Sequence, residues 1–249
     1  MMEKDVSVSS SPPPSPPAAA RPAIAARSGS DLRDGPDGRD GRDGRGRPTR
    51  PGRAELLAAY GTTVPDLVGS ETRVLLCGIN PSLESGATGF HFGTPSNRLW
   101  PVLHLAGFTS RRLHPSETDE LRARGIGITN LVHRATARAD EIDDDEVRAG
   151  VPVLTALVER IRPDWVAFLG LAAYRIGFGR RTAKVGRQPE HLGPAGVWLL
   201  PNPSGLNAHY QLPDLVRVYG ELHKAAYGGP ARSSSGGTEP GVSAPPEAI

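Results

Sequence analysis

Three short, uninterrupted apolar runs limit what this chain can fold into. Arg73–Ile79 reads R-V-L-L-C-G-I, Trp165–Leu169 reads W-V-A-F-L and Val197–Leu200 reads V-W-L-L. They are too short for buried helices and lack the two-residue alternation of a half-solvated strand. Each therefore predicts a strand buried on both faces. Segments with helical character lie around them. Ala54–Tyr60 predicts a short helix, and Asn97 is placed to cap a helix running through Trp100, Leu103 and Ala106. Ser116, with Asp119 three residues on, resembles a capping box opening a helix to about Arg124. Ile126–Val132 predicts a strand or extended segment. Asp143–Arg162 predicts a helix, with Leu154, Leu157, Val158 and Ile161 at helical spacing and Pro152 as a break or new start. Ala172–Ile176 predicts a short helix, and Leu212–Tyr227 a closing one with Leu215, Val218, Tyr219 and Leu222 on one face. Strands separated by helices predict an α/β fold, a three-layer sandwich whose mainly parallel central sheet is flanked by helices.

Composition confines that fold to the middle of the chain. Gly and Pro contribute 30 and 25 of the 249 residues and concentrate at the ends. Residues 1–53 are Pro, Ser, Ala, Arg, Asp and Gly with almost no large apolar side chain, and 228–249 are similar, so both predict disordered tails. All Trp, Phe and Tyr fall within 54–227, which predicts one folded domain there. Gly35, Gly38, Gly41 and Gly44 repeat every third residue, but four triplets are too few for a collagen-like helix. Arg21, Pro22 and Arg27 interrupt the alanine runs that would otherwise resemble an export signal, and the Asp residues of the tail argue against a transit peptide. No apolar stretch is long enough to cross a bilayer. The expected location is cytoplasmic.

The tail carries nine Arg and one Lys against seven acids, the C-terminal segment one Arg against two Glu, and the whole chain is +2, so the core is neutral. Net charge therefore gives no support for nucleic-acid binding by the core, while the tail's Arg residues could add a weak, salt-sensitive attraction to phosphates. The single cysteine, Cys77, excludes an internal disulfide and Cys-based metal clusters, and its place mid-strand predicts a small buried apolar residue. Asp143, Asp144, Asp145 and Glu146 look like a metal cluster but sit where acids favour a helix start. The seven His show no metal-ligand spacing. No metal or cofactor is expected.

Chemistry concentrates in two loops that leave strand ends. The first reads G-I-N-P-S-L-E-S-G-A-T-G-F-H-F over Gly78–Phe92, the second L-P-N-P-S-G-L-N over Leu200–Asn207. Both leave a buried strand through Asn-Pro, where proline ends the strand and sets the exit direction. In parallel sheets ligands bind beyond the strands' carboxyl ends, so the two loops are expected to face each other across one cleft. An asparagine there offers a donor and an acceptor to a ligand or water. The alternative is an Asx-turn that merely caps the strand.

The first loop, together with P-S-N-R-L-W at Pro95–Trp100 and A-G-F-T at Ala106–Thr109, resembles the mismatch-specific uracil/thymine DNA glycosylases of the uracil-DNA glycosylase superfamily. The second loop resembles that family's DNA-inserting loop. The likeness spans about Arg73 to Ala226 and implies the family's fold. It implies a monofunctional hydrolase acting on uracil, with thymine or etheno-cytosine as further bases, opposite guanine in duplex DNA. The partner implied is double-stranded DNA containing G·U or G·T mismatches, bound by a monomer. A glycosylase must extrude its target nucleotide, then bring water to C1′, read the base edge and hold the gap open. By similarity, Asn80 would hold the water. Backbone N–H groups near Ile79 and Phe92 would stabilise the departing base anion. Phe92 would also stack on the extruded base, a contact worth roughly 1–3 kcal/mol, and Ser85 would lie by the C5 edge. Leu206 would be the wedge, with Asn202, Ser204 and Gly205 forming the DNA-binding loop. Gly205 would allow close approach to the duplex, and Asn207 with the backbone around Ser204 would meet the widowed guanine. Arg98 would support the loop or touch phosphate.

Three departures stand out. Ser82 replaces the glycine with which the family motif usually continues, Asn130 stands where members can carry a basic residue, and Ala208 replaces an Arg two positions after the wedge. His209 is expected to be a solvated loop histidine, with a substitute phosphate contact as the alternative. Competing expectations are a superfamily glycosylase preferring single strands or alkylated bases, a catalytically idle damage-binding module, and a nucleotide-binding α/β domain unrelated to DNA.

Overall fold

The computed structural model of the protein describes residues 50–229. The expected tails, 1–53 and 228–249, lie outside the described residues except for 50–53 and 228–229. The first element is helix α1 (Arg53–Ala58), followed by strand β1 (Val74–Gly78), helices α2 (Leu83–Thr88), α3 (Leu99–Leu105) and α4 (Thr118–Ala123), and strand β2 (Ile126–Asn130). A 3-10 turn at Ala139–Glu141 precedes helix α5 (Asp144–Ile161), strand β3 (Trp165–Leu169), helix α6 (Leu171–Gly177), strands β4 (Gly186–Leu192) and β5 (Ala195–Leu200) and helix α7 (Leu212–Tyr227).

The five strands form one sheet in the order β2-β1-β3-β5-β4. The first four are mutually parallel, and β4 runs antiparallel along the edge of β5. Alternate strand residues enter opposite apolar layers, as a doubly covered sheet requires. Val74, Leu76, Ala167, Leu169, Trp198 and Leu200 face the layer containing Leu99, Leu103 and Leu121 with Leu215, Val218 and Leu222 of α7. Leu75, Cys77, Val166, Phe168, Val197 and Leu199 face Leu154, Leu157 and Val158 of α5 and Ala173 and Tyr174 of α6. The expected α/β sandwich is the observed architecture. Among the described residues no helix is long and apolar enough to cross a membrane.

Three local expectations are corrected, and one element is new. Pro152 does not break α5, which runs unbroken through it. Its ring lies on the exposed face, so the Arg148 carbonyl that loses its usual donor can turn to water. Ser116 does not cap α4; its hydroxyl and N–H are engaged with His114 Nδ1, and the helix starts at Thr118 behind Glu117. The stretch after Asn80 is not a plain loop, since it contains α2. Finally, β4 was not anticipated. Asp143 does cap α5, accepting from the Glu146 N–H, which accounts for that acidic run.

Candidate active site

The carboxyl ends of β1, β2, β3 and β5 open into a cleft of about 730 Å³. Of the site residues predicted from sequence, Ile79, Asn80, Ser85, Phe92, Asn202, Ser204, Gly205 and Leu206 all line it; Asn207 does not. The two loops do converge.

The two Asn-Pro turns hold their asparagines differently. Asn202 forms an Asx-turn, its Oδ1 accepting from the Ser204 N–H at 2.9 Å. Asn80 does not. Its Nδ2 donates to Thr136 Oγ1 at 2.7 Å and approaches the carbonyls of Arg134 and Pro81, each at 3.1 Å. The Thr136 hydroxyl has already given its hydrogen to the Arg138 carbonyl, so it can only accept from Asn80. Three acceptors thus fix the amide nitrogen inward. Asn80 Oδ1 accepts no hydrogen bond among the described residues and is left as the cleft-side acceptor.

The floor of the cleft contains a second buried amide. Asn130 ends β2 beside Gly78 of β1 and is 4% exposed. Its Nδ2 meets His91 Nδ1 at 3.3 Å, and His91 Nε2 meets the Pro65 carbonyl at 2.9 Å. A carbonyl can only accept, so Nε2 carries the proton and Nδ1 accepts from Asn130. Burial holds the His91 pKa below its ordinary value, which keeps this neutral tautomer. Gly78 is required here: a Cβ on it would lie 2.5 Å from Asn130 Oδ1 and 3.3 Å from Phe92 Cζ.

Phe92 adopts φ 51°, a left-handed conformation that costs a non-glycine residue of order 1–3 kcal/mol. Its carbonyl accepts from Trp100 Nε1 at 3.2 Å, and its ring is half-buried against the core while still lining the cleft. Ser85 is 2% exposed, and its Oγ accepts from the Ser82 hydroxyl and the Gly93 N–H. Ser82 caps α2 at φ −75°, a conformation that needs no glycine.

Leu206 is 93% exposed at the tip of the second loop. Asn207 does not reach the cleft, because its Nδ2 donates to the Asn202 carbonyl and its Oδ1 accepts from the His209 N–H. Gly205 packs against the segment that precedes α3: a Cβ there would lie 2.7 Å from the Ser96 carbonyl oxygen. The Arg98 guanidinium donates to three carbonyls of the Leu206 loop. Thr136 and His91 are site residues that sequence reasoning missed, and Asn130 was noted only as the absence of a basic residue. Only their bonding partners, 26 to 56 positions away, single them out.

A sequence model of the uracil DNA glycosylase superfamily matches residues 65–222. Among solved structures, the chain is similar to a solution NMR structure of a candidate uracil DNA glycosylase from Methanosarcina acetivorans. The two are 19% identical at a TM-score of 0.47, over 66% of this chain and 99% of that one.

Proposed function

Since the chain belongs to the uracil DNA glycosylase superfamily, we propose that it is a DNA repair enzyme that hydrolyses the N-glycosidic bond of uracil paired with guanine in duplex DNA. The observation that carries this reading is the pairing, in one cleft, of an Asn80 amide pinned through its nitrogen with an exposed Leu206.

Asn80 Oδ1 accepts a hydrogen from the attacking water and leaves a water lone pair for C1′. An amide is no strong base, so little proton abstraction assists attack. The N1–C1′ bond must be largely broken first, with its electron pair departing on uracil and positive charge spread over the sugar. Water oxygen then bonds to C1′, its proton passes to solvent, and an abasic sugar remains. The backbone N–H groups of Ile79 and Phe92 oppose the charge growing on the base. Phe92 stacks on the base, its strained backbone aiming the ring across Gly78.

Asn130 reads the base edge. With its orientation set by His91, it retains one N–H and Oδ1, which complement O4 and N3–H of uracil. Cytosine presents the reverse pattern, a donor at N4 and an acceptor at N3. Leu206 fills the space the nucleotide leaves, and the backbone of the Ser204 loop faces the widowed guanine. Ser85 acts from the wall of the base pocket by fixing Gly93.

The test is an excision panel read as abasic-site formation on G·U, G·T, etheno-C·G and single-stranded uracil substrates. Fastest release from G·U supports the proposal. Preference for single strands or adducts reassigns the substrate, and tight G·U binding without release indicates a damage-binding module.

A further inference from the structure

We infer that Arg98 is a positioning residue that holds the Leu206 loop ready for insertion, so that base extrusion depends on it. This rests on the wedge role proposed above. Arg98 reaches the loop from the start of α3. Its Nη2 donates to the carbonyls of Ser204 at 2.5 Å and Asn207 at 3.0 Å, and Nη1 to that of Tyr210 at 2.8 Å. Its backbone N–H donates to the Pro203 carbonyl at 2.9 Å. Four carbonyls of one eight-residue stretch thus converge on a single residue, and the three bonds to the guanidinium are charge-assisted.

Among the described residues no carboxylate pairs with the Arg98 guanidinium, and its Nε is buried without a partner. Among the described residues, the hydrogen-bond partners of the guanidinium are loop carbonyls. The bonds to Ser204 and Asn207 bracket Leu206 on both sides, which leaves the wedge at the crest of the turn. Peptide planes are trans, so turning those two carbonyls inward turns the N–H groups of Gly205 and Ala208 outward, away from Arg98. Gly205 seats the same turn on Ser96. The loop is thereby built before DNA arrives, which removes an ordering cost from insertion. A lysine keeps the charge but, as a point donor, cannot span three separated carbonyls.

The experiment places 2-aminopurine beside uracil in a G·U duplex and measures, for the full chain, both its fluorescence rise on binding and the single-turnover release of uracil. In Arg98→Ala both should fall by about 10- to 100-fold, the scale expected for losing charge-assisted bonds. Added guanidinium ion should restore both in Arg98→Ala but not in Leu206→Ala, and Arg98→Lys should recover only part. A wild-type fluorescence rise in Arg98→Ala overturns the inference, as does a loss of release with extrusion intact. If Arg98→Ala does not fold, a folded Arg98→Lys that extrudes like wild type overturns it equally. Wild-type protein that extrudes the base without releasing uracil contradicts the proposed activity instead, while the fluorescence comparison still judges Arg98.

Discussion

The amide nitrogen of Asn80 donates to the hydroxyl of Thr136 across 2.7 Å, joining residues 56 positions apart at the back of the cleft. Because Thr136 passes its own hydrogen on to Arg138, the direction of every bond in this chain is determined. The acceptor face of Asn80 is therefore oriented by a segment far along the chain, Thr136–Arg138, at the wall of the same cleft.

Thr136→Val removes the acceptor while keeping the shape. Asn80 can then rotate, and single-turnover uracil release should fall about 10- to 100-fold, the cost of a misplaced reacting group. Thr136→Ser should recover most of the rate. Duplex affinity, measured by fluorescence anisotropy, should remain near wild type in both.

Gly78→Ala tests the packing of the floor. The new methyl would lie 2.5 Å from Asn130 Oδ1 and 3.3 Å from the Phe92 ring, and both neighbours are held by other bonds. Overpacking of this kind costs about 1–3 kcal/mol. A lowered denaturant midpoint and a loss of uracil release larger than that of affinity are expected.

His91 supplies a pH signature. Burial lowers its pKa, partly offset by the Pro65 carbonyl and Asp66, with His133 acting in the same direction as burial. The folded state thus binds this proton less readily than the unfolded chain. Its contribution to stability is complete above the ordinary histidine value of about 6.5 and declines as pH falls from there toward the folded value, by at most about 1.4 kcal/mol per pH unit. Protonated Nδ1 can no longer accept from Asn130. Uracil release should fall on the acid side, below the ordinary histidine range. Denaturant midpoints and release rates against pH, for wild type and His91→Gln, check this; the variant should lose the acid-side step in both.

The sheet was legible because its strands are buried on both faces and so carry continuous apolar runs. Strand β4 was not, since Gly186, Arg187, Gln188, Pro189, Glu190 and His191 show no such run. At the sheet edge β4 is only partly covered, with Leu192 its buried residue, so it needs no continuous apolar run, and an edge strand tolerates proline. Helix α2 was hidden by Gly86 and the Gly89 that ends it, although Ser82, read as a departure from a family pattern, is its cap. The two Asn-Pro turns look equivalent in sequence, yet only Asn80 is held from behind, and that depends on Thr136 and the Arg134 carbonyl, far along the chain. Gly205 has a second reason to be glycine that its sequence did not show, since a Cβ there would meet the Ser96 carbonyl oxygen. Asn130 was read as a missing cation. Its place is explained by Gly78 and His91, a relationship that exists only once β1 and β2 are paired.

The most direct measurement is single-turnover release of uracil from a G·U duplex by wild type and by Asn80→Ala, with duplex affinity measured alongside. Wild type should release uracil and leave an abasic site. Asn80→Ala should be slower by at least about 100-fold at nearly unchanged affinity. Release by Asn80→Ala at the wild-type rate, or no release by the wild type, would contradict the account.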